Sequence, residues 1–268
     1  MFLSVPVLIA IFWSTDLIRP GSFKRAGLRD VKAHPALIWL LAAFIVLYAA
    51  YLGGQLAISA EWLIGPDDTT IRAKAIQTLG QYFMGIGVGA AMLYLIRRDA
   101  PKGGLEFRVG DLVLGLAFLA LTYPLIYAVS EASGWVYTAI TRPQGELDRI
   151  AHETLRMLAA DTSNGWAWTI AFAAVFCAPI VEELIYRALL QSAILRVTNR
   201  AWPAILISAT IFMAMHIPVV TDPRPLVPLF VLGVALGIAF ERTKRIGVPI
   251  AMHMAFNALN LGLALGLS

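Results

Sequence analysis

Charged residues are scarce in this chain of 268 residues: only 14% are Asp, Glu, Lys or Arg, against about 25% in a typical soluble domain. Hydrophobic residues make up 59% of the chain. This composition excludes a soluble globule and predicts an all-α, polytopic transmembrane helical bundle. The net charge of +4 is too modest to indicate nucleic acid as a partner. We therefore expect a multi-pass integral protein of the cell (inner) membrane, in contact with lipid.

Cysteine is also nearly absent. The single Cys177 excludes an intrachain disulfide and a zinc centre built from cysteines, and its apolar neighbours favour a role in helix packing. The sequence shows no internal repeat and no low-complexity tract. We expect one integral-membrane domain over residues 1–268, with N-terminal helices and an interfacial loop in 1–164 and a motif-bearing core in 165–268.

Apolar stretches near the required length of about 20 residues predict about eight membrane helices. They lie near Phe2–Leu17, Ala36–Ala57, Ile76–Ile96, Leu112–Val129, Gly165–Leu184, Trp202–Ile217, Leu226–Phe240 and Val248–Leu267. The fifth is expected to continue as a helix to Leu195. Residues 145–160 carry a helical stripe of leucine and isoleucine, which predicts an interfacial amphipathic helix.

Basic residues are concentrated in alternate loops. Fifteen of the 21 Lys and Arg residues follow the first, third, fifth and seventh spans. The positive-inside rule then places these loops in the cytoplasm and both termini outside. Arg187, counted among the fifteen, is also close enough to the fifth span to lie inside the membrane.

Pairs of glycines four residues apart predict close packing between membrane helices. The pairs are Gly85 with Gly89, Gly233 with Gly237, and Gly262 with Gly266.

Two adjacent carboxylates, Glu182 and Glu183, follow about seventeen nearly charge-free residues. An ionised carboxylate in hydrocarbon costs several kcal/mol, so it is expected to face a bundle interior or cavity and to mark a functional site. Glu183 precedes Arg187 by four residues, the better orientation for a helical ion pair. Glu182 points about 100° away around the helix and can face a different neighbour. Pro179 removes a helical hydrogen bond just upstream, which predicts a bend near the pair.

Two histidines inside later apolar spans are the expected neighbours of the carboxylates. His216 lies at about the same depth as Glu182, roughly 20 Å from the cytoplasmic side, and His253 shares a helix face with Asn257. A carboxylate with a histidine can activate water, and a second histidine with an amide can donate hydrogen bonds to a developing oxyanion. These groups suffice to add water to a peptide carbonyl. Alternatively, Glu182, His216 and His253 could ligate zinc and leave one position for water.

Three motifs together resemble those of the CPBP family, which comprises CAAX prenyl endopeptidases and bacteriocin-processing or immunity proteins, also called Abi proteins. They are Glu-Glu-x-x-x-Arg at 182–187, Phe-x-x-x-His at 212–216 and His-x-x-x-Asn at 253–257. The resemblance covers roughly residues 165–267, and the N-terminal half is similar only in its hydrophobic helices. It implies an all-helical intramembrane endopeptidase.

The resemblance also implies a role for each motif residue. Glu182 and His216 would activate water, while His253 and Asn257 would form the oxyanion hole. The remaining two residues would support the site: Glu183 and Arg187. The resemblance favours a metal-free, glutamate-dependent enzyme without a cofactor; zinc held by Glu182, His216 and His253 remains the alternative.

The expected substrate is a peptide or a membrane protein, prenylated or not. Two other classes of function are weighed against hydrolysis. One is a non-catalytic immunity or scaffold protein that binds peptides. The other is a proton-coupled transporter, since intramembrane Glu and His can relay protons. Against transport, the polar groups cluster in the C-terminal part and no inverted repeat is visible.

Overall fold

A computed structural model of the chain describes residues 4–60, 71–141, 163–220 and 222–267. These residues form helices joined by loops and turns, which confirms the all-α fold class. The main helices are α1 (Ser4–Ser14), α2 (Ala36–Ser59), α3 (Ile71–Asp99), α4 (Gly110–Thr141), α5 (Gly165–Thr198), α6 (Ala201–Ala214), α7 (Leu226–Thr243) and α8 (Gly247–Leu267). The predicted interfacial helix over 145–160 lies outside the described residues.

Seven helices, α2 to α8, are long and apolar enough to cross a membrane, α6 together with the turns that follow it. The predicted first span is the one that differs. Helix α1 has 11 residues, about 16 Å at 1.5 Å per residue, and a hydrocarbon core is about 30 Å thick. It ends at Ser14, where the Ser14 and Thr15 hydroxyls donate to the Ile11 carbonyl and Asp16 turns the chain with a φ of 62°.

Bulky apolar side chains project outward from the bundle. Phe44 on α2, Phe83 on α3 and Val113 on α4 are all exposed. Such side chains are stable on an outer surface that faces hydrocarbon instead of water. The spans and this surface together show a multi-pass integral membrane protein.

Helix α5 forms the centre of the bundle and is contacted by α2, α3, α6, α7 and α8. Helix α3 approaches it closely because Gly85 and Gly89 have no side chains. A Cβ atom at Gly85 would lie 3.1 Å from Val181, and one at Gly89 would lie 2.7 Å from Leu184. The packing predicted for this pair is therefore confirmed, directly beside the two glutamates.

The other two glycine pairs give different results. On α7, a Cβ atom at Gly233 would lie 3.1 Å from Ala209 on α6, and one at Gly237 would lie 3.0 Å from Ile205, so this pair also marks a helix contact. Cβ atoms at Gly262 and Gly266 would meet open space among the described residues. That pair does not mark a helix contact there.

Helix α5 changes its hydrogen-bonding register twice. Residues Ala173–Cys177 and Leu184–Gln191 are π-helical, and the α-helical segment Ala178–Glu183 lies between them. π-Helical turns occur frequently at functional sites, because they change the direction of the side chains that follow. Both glutamates lie at the end of the intervening α-helical segment.

The loops rich in basic residues meet at one end of the bundle. Arg29 in the first loop donates to the Gly103 carbonyl in the third at 3.0 Å and to Glu241 near the end of α7 at 2.8 Å. Arg196 near the end of α5 donates to the His34 carbonyl at 3.1 Å. Their shared position agrees with the charge pattern that predicts a common cytoplasmic side.

Topology can be tested by cysteine accessibility. In a Cys177→Ala background, Lys102→Cys between α3 and α4 and Gly266→Cys at the end of α8 should react from opposite sides of the membrane. Five spans separate the two positions, so this expectation does not depend on α1. Labelling of intact and permeabilised cells with an impermeant maleimide measures it, and reaction from the same side would reject the layout.

Candidate active site

Glu183 lies in the dry interior of the bundle and binds two other residues. Its Oε1 lies 3.2 Å from an Arg187 guanidinium nitrogen and 2.9 Å from His253 Nδ1 on α8. Glu183 and Arg187 are both fully buried. The predicted ion pair between Glu183 and Arg187 is therefore formed. The N–H of this Arg187 nitrogen does not point at the carboxylate as a hydrogen bond would require. The contact with His253 was not predicted from the sequence.

Arg187 has further neighbours that stabilise its buried charge. Its guanidinium donates to the Gly233 carbonyl on α7 at 3.3 Å and lies over the Phe212 ring, 4.4 Å from the ring centroid. An aromatic face attracts a cation, and more strongly when both are desolvated. The side chain therefore lies inside the protein, not in a cytoplasmic loop, as the sequence had allowed.

His253 lies between the two carboxylates. Its Nε2 atom is 3.7 Å from Glu182 Oε2, which is within ion-pair distance but too long for a hydrogen bond. Because an ionised carboxylate can only accept a hydrogen bond, His253 Nδ1 carries the proton and donates it to Glu183. The other ring nitrogen, Nε2, faces Glu182. Sequence reasoning paired Glu182 with His216; the histidine that the structure brings to both glutamates is His253.

Glu182 is the more accessible carboxylate, with a quarter of its side chain exposed. The two glutamates therefore occupy different environments, as their separation around the helix predicts. Tyr82 on α3 and Tyr186 on α5 pack in the same apolar core as Val181 and Leu184, the residues on either side of the two glutamates. Neither tyrosine belongs to one of the three motifs, and no sequence pattern singles them out.

His216 lies in the turn after α6 and is half-buried. Its Nδ1 atom lies 2.8 Å from the Phe212 carbonyl oxygen. Because a carbonyl can only accept, Nδ1 carries the proton, and Nε2 of the neutral ring keeps a free lone pair. The local turn therefore presents His216 as a possible proton acceptor at Nε2.

Phe212 connects the separate parts of the site. Its fully buried ring lies 4.7 Å from the His216 ring and 5.8 Å from the His253 ring, centroid to centroid. It also contacts Tyr186 edge-on at 5.4 Å. In the sequence, only its motif marks Phe212; in the structure, its ring packs against both histidines.

Asn257 binds the Ala174 carbonyl, which lacks a backbone donor because of Pro179. The Ala178 N–H donates to the Ala173 carbonyl in the π pattern. The next donor in this pattern would be residue 179, but proline has no N–H to offer the Ala174 carbonyl. Asn257 Nδ2 donates to that carbonyl instead, at 2.9 Å. An amide nitrogen carries two hydrogens, so one donor remains at Asn257.

The zinc alternative needs a set of ligands around one point. The residues that the structure describes contain no group of three or more His, Cys, Asp or Glu side chains that could hold a metal ion. Glu182 and His253 approach each other, but with His216 they do not form such a group.

Comparisons with known proteins agree with this location of the site. Residues 164–259 match the family model "Type II CAAX prenyl endopeptidase Rce1-like". The "Putative membrane peptidase YdiL" of Bacillus subtilis (strain 168) is 37% identical over 79 residues, which are 30% of this chain and 30% of that protein. The match therefore spans less than a third of the curated relative. No solved structure matches the chain significantly.

These two matches confirm the resemblance to the CPBP family that the three motifs predict. All six motif residues fall within the matched range. The family model is named for an endopeptidase and the relative for a putative membrane peptidase, so both comparisons support a membrane peptidase.

The buried ion pair makes a testable contribution to stability. Glu183→Ala should lower the free energy of unfolding by about 3–5 kcal/mol, because it leaves the Arg187 charge buried without its carboxylate. Equilibrium unfolding in mixed micelles measures the change. Asp16→Asn, which removes the charge of the exposed pair with Arg25 and tolerates the positive φ at this position, is the matched control and should stay near wild type. Equal stability of the two variants would contradict the buried charge pair.

Proposed function

We propose that this chain, whose residues 164–259 match the Type II CAAX prenyl endopeptidase Rce1-like family model, is an intramembrane endopeptidase. The observation that best supports this proposal is the position of His253 between two carboxylates inside the bundle, 2.9 Å from Glu183 and 3.7 Å from Glu182. Ionisable groups are retained within a membrane bundle where they perform chemistry or carry ions.

In the proposed reaction, Glu182 is the general base. Glu183 is fully buried and already binds Arg187 and His253, so Glu182 is the carboxylate that water and substrate can reach. It accepts a proton from water while the water oxygen bonds to the scissile carbonyl carbon. The proton then passes to the leaving amine as the C–N bond breaks. The products are a carboxylate and an amine, without a covalent enzyme intermediate.

His216 assists at the same water. Its Nδ1 proton is held by the Phe212 carbonyl, which leaves the Nε2 lone pair to accept a hydrogen bond or a proton. Phe212 limits the movement of the ring, because the two aromatic groups are in contact. This division of work between Glu182 and His216 is the one that the family resemblance implies.

In the proposed reaction, His253 and Asn257 donate hydrogen bonds to the developing oxyanion. Asn257 contributes the amide hydrogen that does not bind Ala174. His253 donates from Nε2, which requires the doubly protonated ring because Nδ1 already donates to Glu183. Glu183 and Arg187 support this arrangement by fixing the orientation of His253.

The proposed substrate is a peptide or a segment of a membrane protein that enters the bundle from the lipid or from the cytoplasmic side. The matched family model is named for prenylated CAAX substrates, and that description applies to its own members. Here the proposal extends only to peptide bonds, so an assay should include prenylated and unprenylated peptides.

Incubation of the purified protein with a peptide library tests the proposal. Wild type should cleave, and Glu182→Gln should abolish cleavage while leaving thermal unfolding unchanged, because an amide cannot accept the proton from water. Glu131→Gln, at a half-buried glutamate on α4, is the matched control and should retain full activity. Binding without turnover by wild type would instead indicate a peptide-binding scaffold.

Loss of one oxyanion donor should have a smaller effect than loss of the base. His253→Ala and Asn257→Ala are each expected to lower kcat by roughly 10²–10³-fold, as for other single oxyanion donors. Asn257→Ala should also lower the melting temperature, since the Ala174 carbonyl then lacks a partner. Wild-type kcat in both variants would exclude these residues from the oxyanion hole.

A metal-free mechanism predicts that chelators have no effect. Activity should survive treatment with a strong zinc chelator, and elemental analysis of active protein should find no stoichiometric zinc. Loss of activity on chelation, with recovery on adding zinc, would favour the alternative in which Glu182, His216 and His253 are metal ligands.

A further inference from the structure

A second buried polar cluster lies at the cytoplasmic end of α5. It comprises Arg29, Gln191, Ser192 and Glu241, and is called the Arg29 cluster below; all four residues are buried. Glu241 Oε1 accepts from two Arg29 nitrogens at 3.1 and 2.8 Å and from Gln191 Nε2 at 2.9 Å. Arg29 also donates to the Ser192 hydroxyl at 2.8 Å. The function proposed above uses none of these residues.

The Arg29 cluster holds the end of an unusual backbone segment. The π-helical run Leu184–Gln191 has eight residues, whereas most π-helices are single turns within an α-helix. Such a run depends on contacts from other helices to select its register. One contact is the Ser208 hydroxyl on α6, which donates to the Tyr186 carbonyl at 2.7 Å.

Other anchors form a ladder between α5 and one face of α7. Arg187 donates to the Gly233 carbonyl, and Gln191 donates to the Gly237 carbonyl at 3.4 Å and to Glu241. The three acceptor residues are four apart along α7, and the two donors are four apart along α5. The ladder therefore fixes both the rotation and the height of the π-helical segment relative to α7.

Glu183 immediately precedes this segment, so the rotation of the segment determines where its carboxylate points. Gln191 is eight residues further on, about two turns along the helix, and does not reach the reacting atoms. Arg187, in contrast, both belongs to the ladder and binds Glu183. A change at Gln191 is thus transmitted to the site through Arg187 and Glu183.

We propose that Gln191 is a positioning residue for the hydrolysis proposed above: by binding Gly237 and Glu241, it keeps the π-helical segment rotated so that Glu183 meets His253. This inference rests on the proposed function for its kinetic consequence. Its structural consequence, the Glu183–His253 contact, can be measured separately.

The test replaces the amide of Gln191 with an apolar group of similar length, in Gln191→Met. The variant should lower kcat roughly 10- to 100-fold, because small displacements of catalytic groups reduce rate by such factors, while KM stays close to wild type. The pH profile of kcat should also change, because it reports groups whose ionisation depends on the Glu183–His253 contact.

A matched control removes a buried hydrogen bond elsewhere. The buried Thr122 hydroxyl donates within α4 to the Phe118 carbonyl at 2.8 Å, so Thr122→Val removes a buried hydrogen bond without affecting α5. If Gln191→Met lowers only the melting temperature, and its kcat and pH profile match those of Thr122→Val, the positioning role is overturned. If Gln191→Met does not fold, Gln191→Asn keeps the amide but is too short for both acceptors, and the same comparison applies.

NMR of protein labelled with 15N-histidine separates this proposal from the proposed function. The chain has four histidines, and His253→Gln identifies the His253 signals. These signals should shift in Gln191→Met and stay unchanged in Thr122→Val. If wild type cleaves no peptide but the signals shift, the proposed function fails and the positioning of Glu183 stands. Unchanged His253 signals in Gln191→Met overturn the positioning role whatever the activity.

Discussion

The burial of the Glu183 charge is the constraint on which the rest of the site depends. A carboxylate inside a membrane bundle is stable only with partners that replace water, and here they are Arg187 and His253. Because these partners lie on α5 and α8, the requirement joins two helices that are distant in sequence. Glu183 is thereby fixed in position, and its neighbour Glu182 stays free to meet water.

The irregular backbone of α5 follows from the same need to satisfy polar groups. Pro179 cannot donate to the Ala174 carbonyl, and Asn257 on α8 supplies the missing donor. Helix α8 thus contacts α5 through two residues one turn apart, His253 at Glu183 and Asn257 at Ala174. A residue that the sequence places in an oxyanion hole therefore also stabilises the helix that carries the glutamates.

The sequence predicts the local parts of this site better than the long-range ones. The Glu183–Arg187 pair follows from a spacing of four on one helix, and the packing of Gly85 and Gly89 follows from their small size. The contact between Glu183 and His253 spans 70 positions, and no periodicity encodes it. The π-helical segments were also missed, because an apolar run has the same composition in α and π registers. Helix α1 ends before the predicted Leu17 because the polar residues Ser14, Thr15 and Asp16 interrupt the apolar run, and Asp16 turns the chain with a positive φ.

The N-terminal half contributes to the site although the family match begins at residue 164. Helix α3 lies against Val181 and Leu184 because its glycines Gly85 and Gly89 have no side chains. From the first loop, Arg29 reaches Glu241, which in turn holds Gln191. The matched segment contains the candidate site residues, and the preceding helices and loops set their surroundings. A change in α3 would therefore alter the packing beside the two glutamates without changing any of the three motifs.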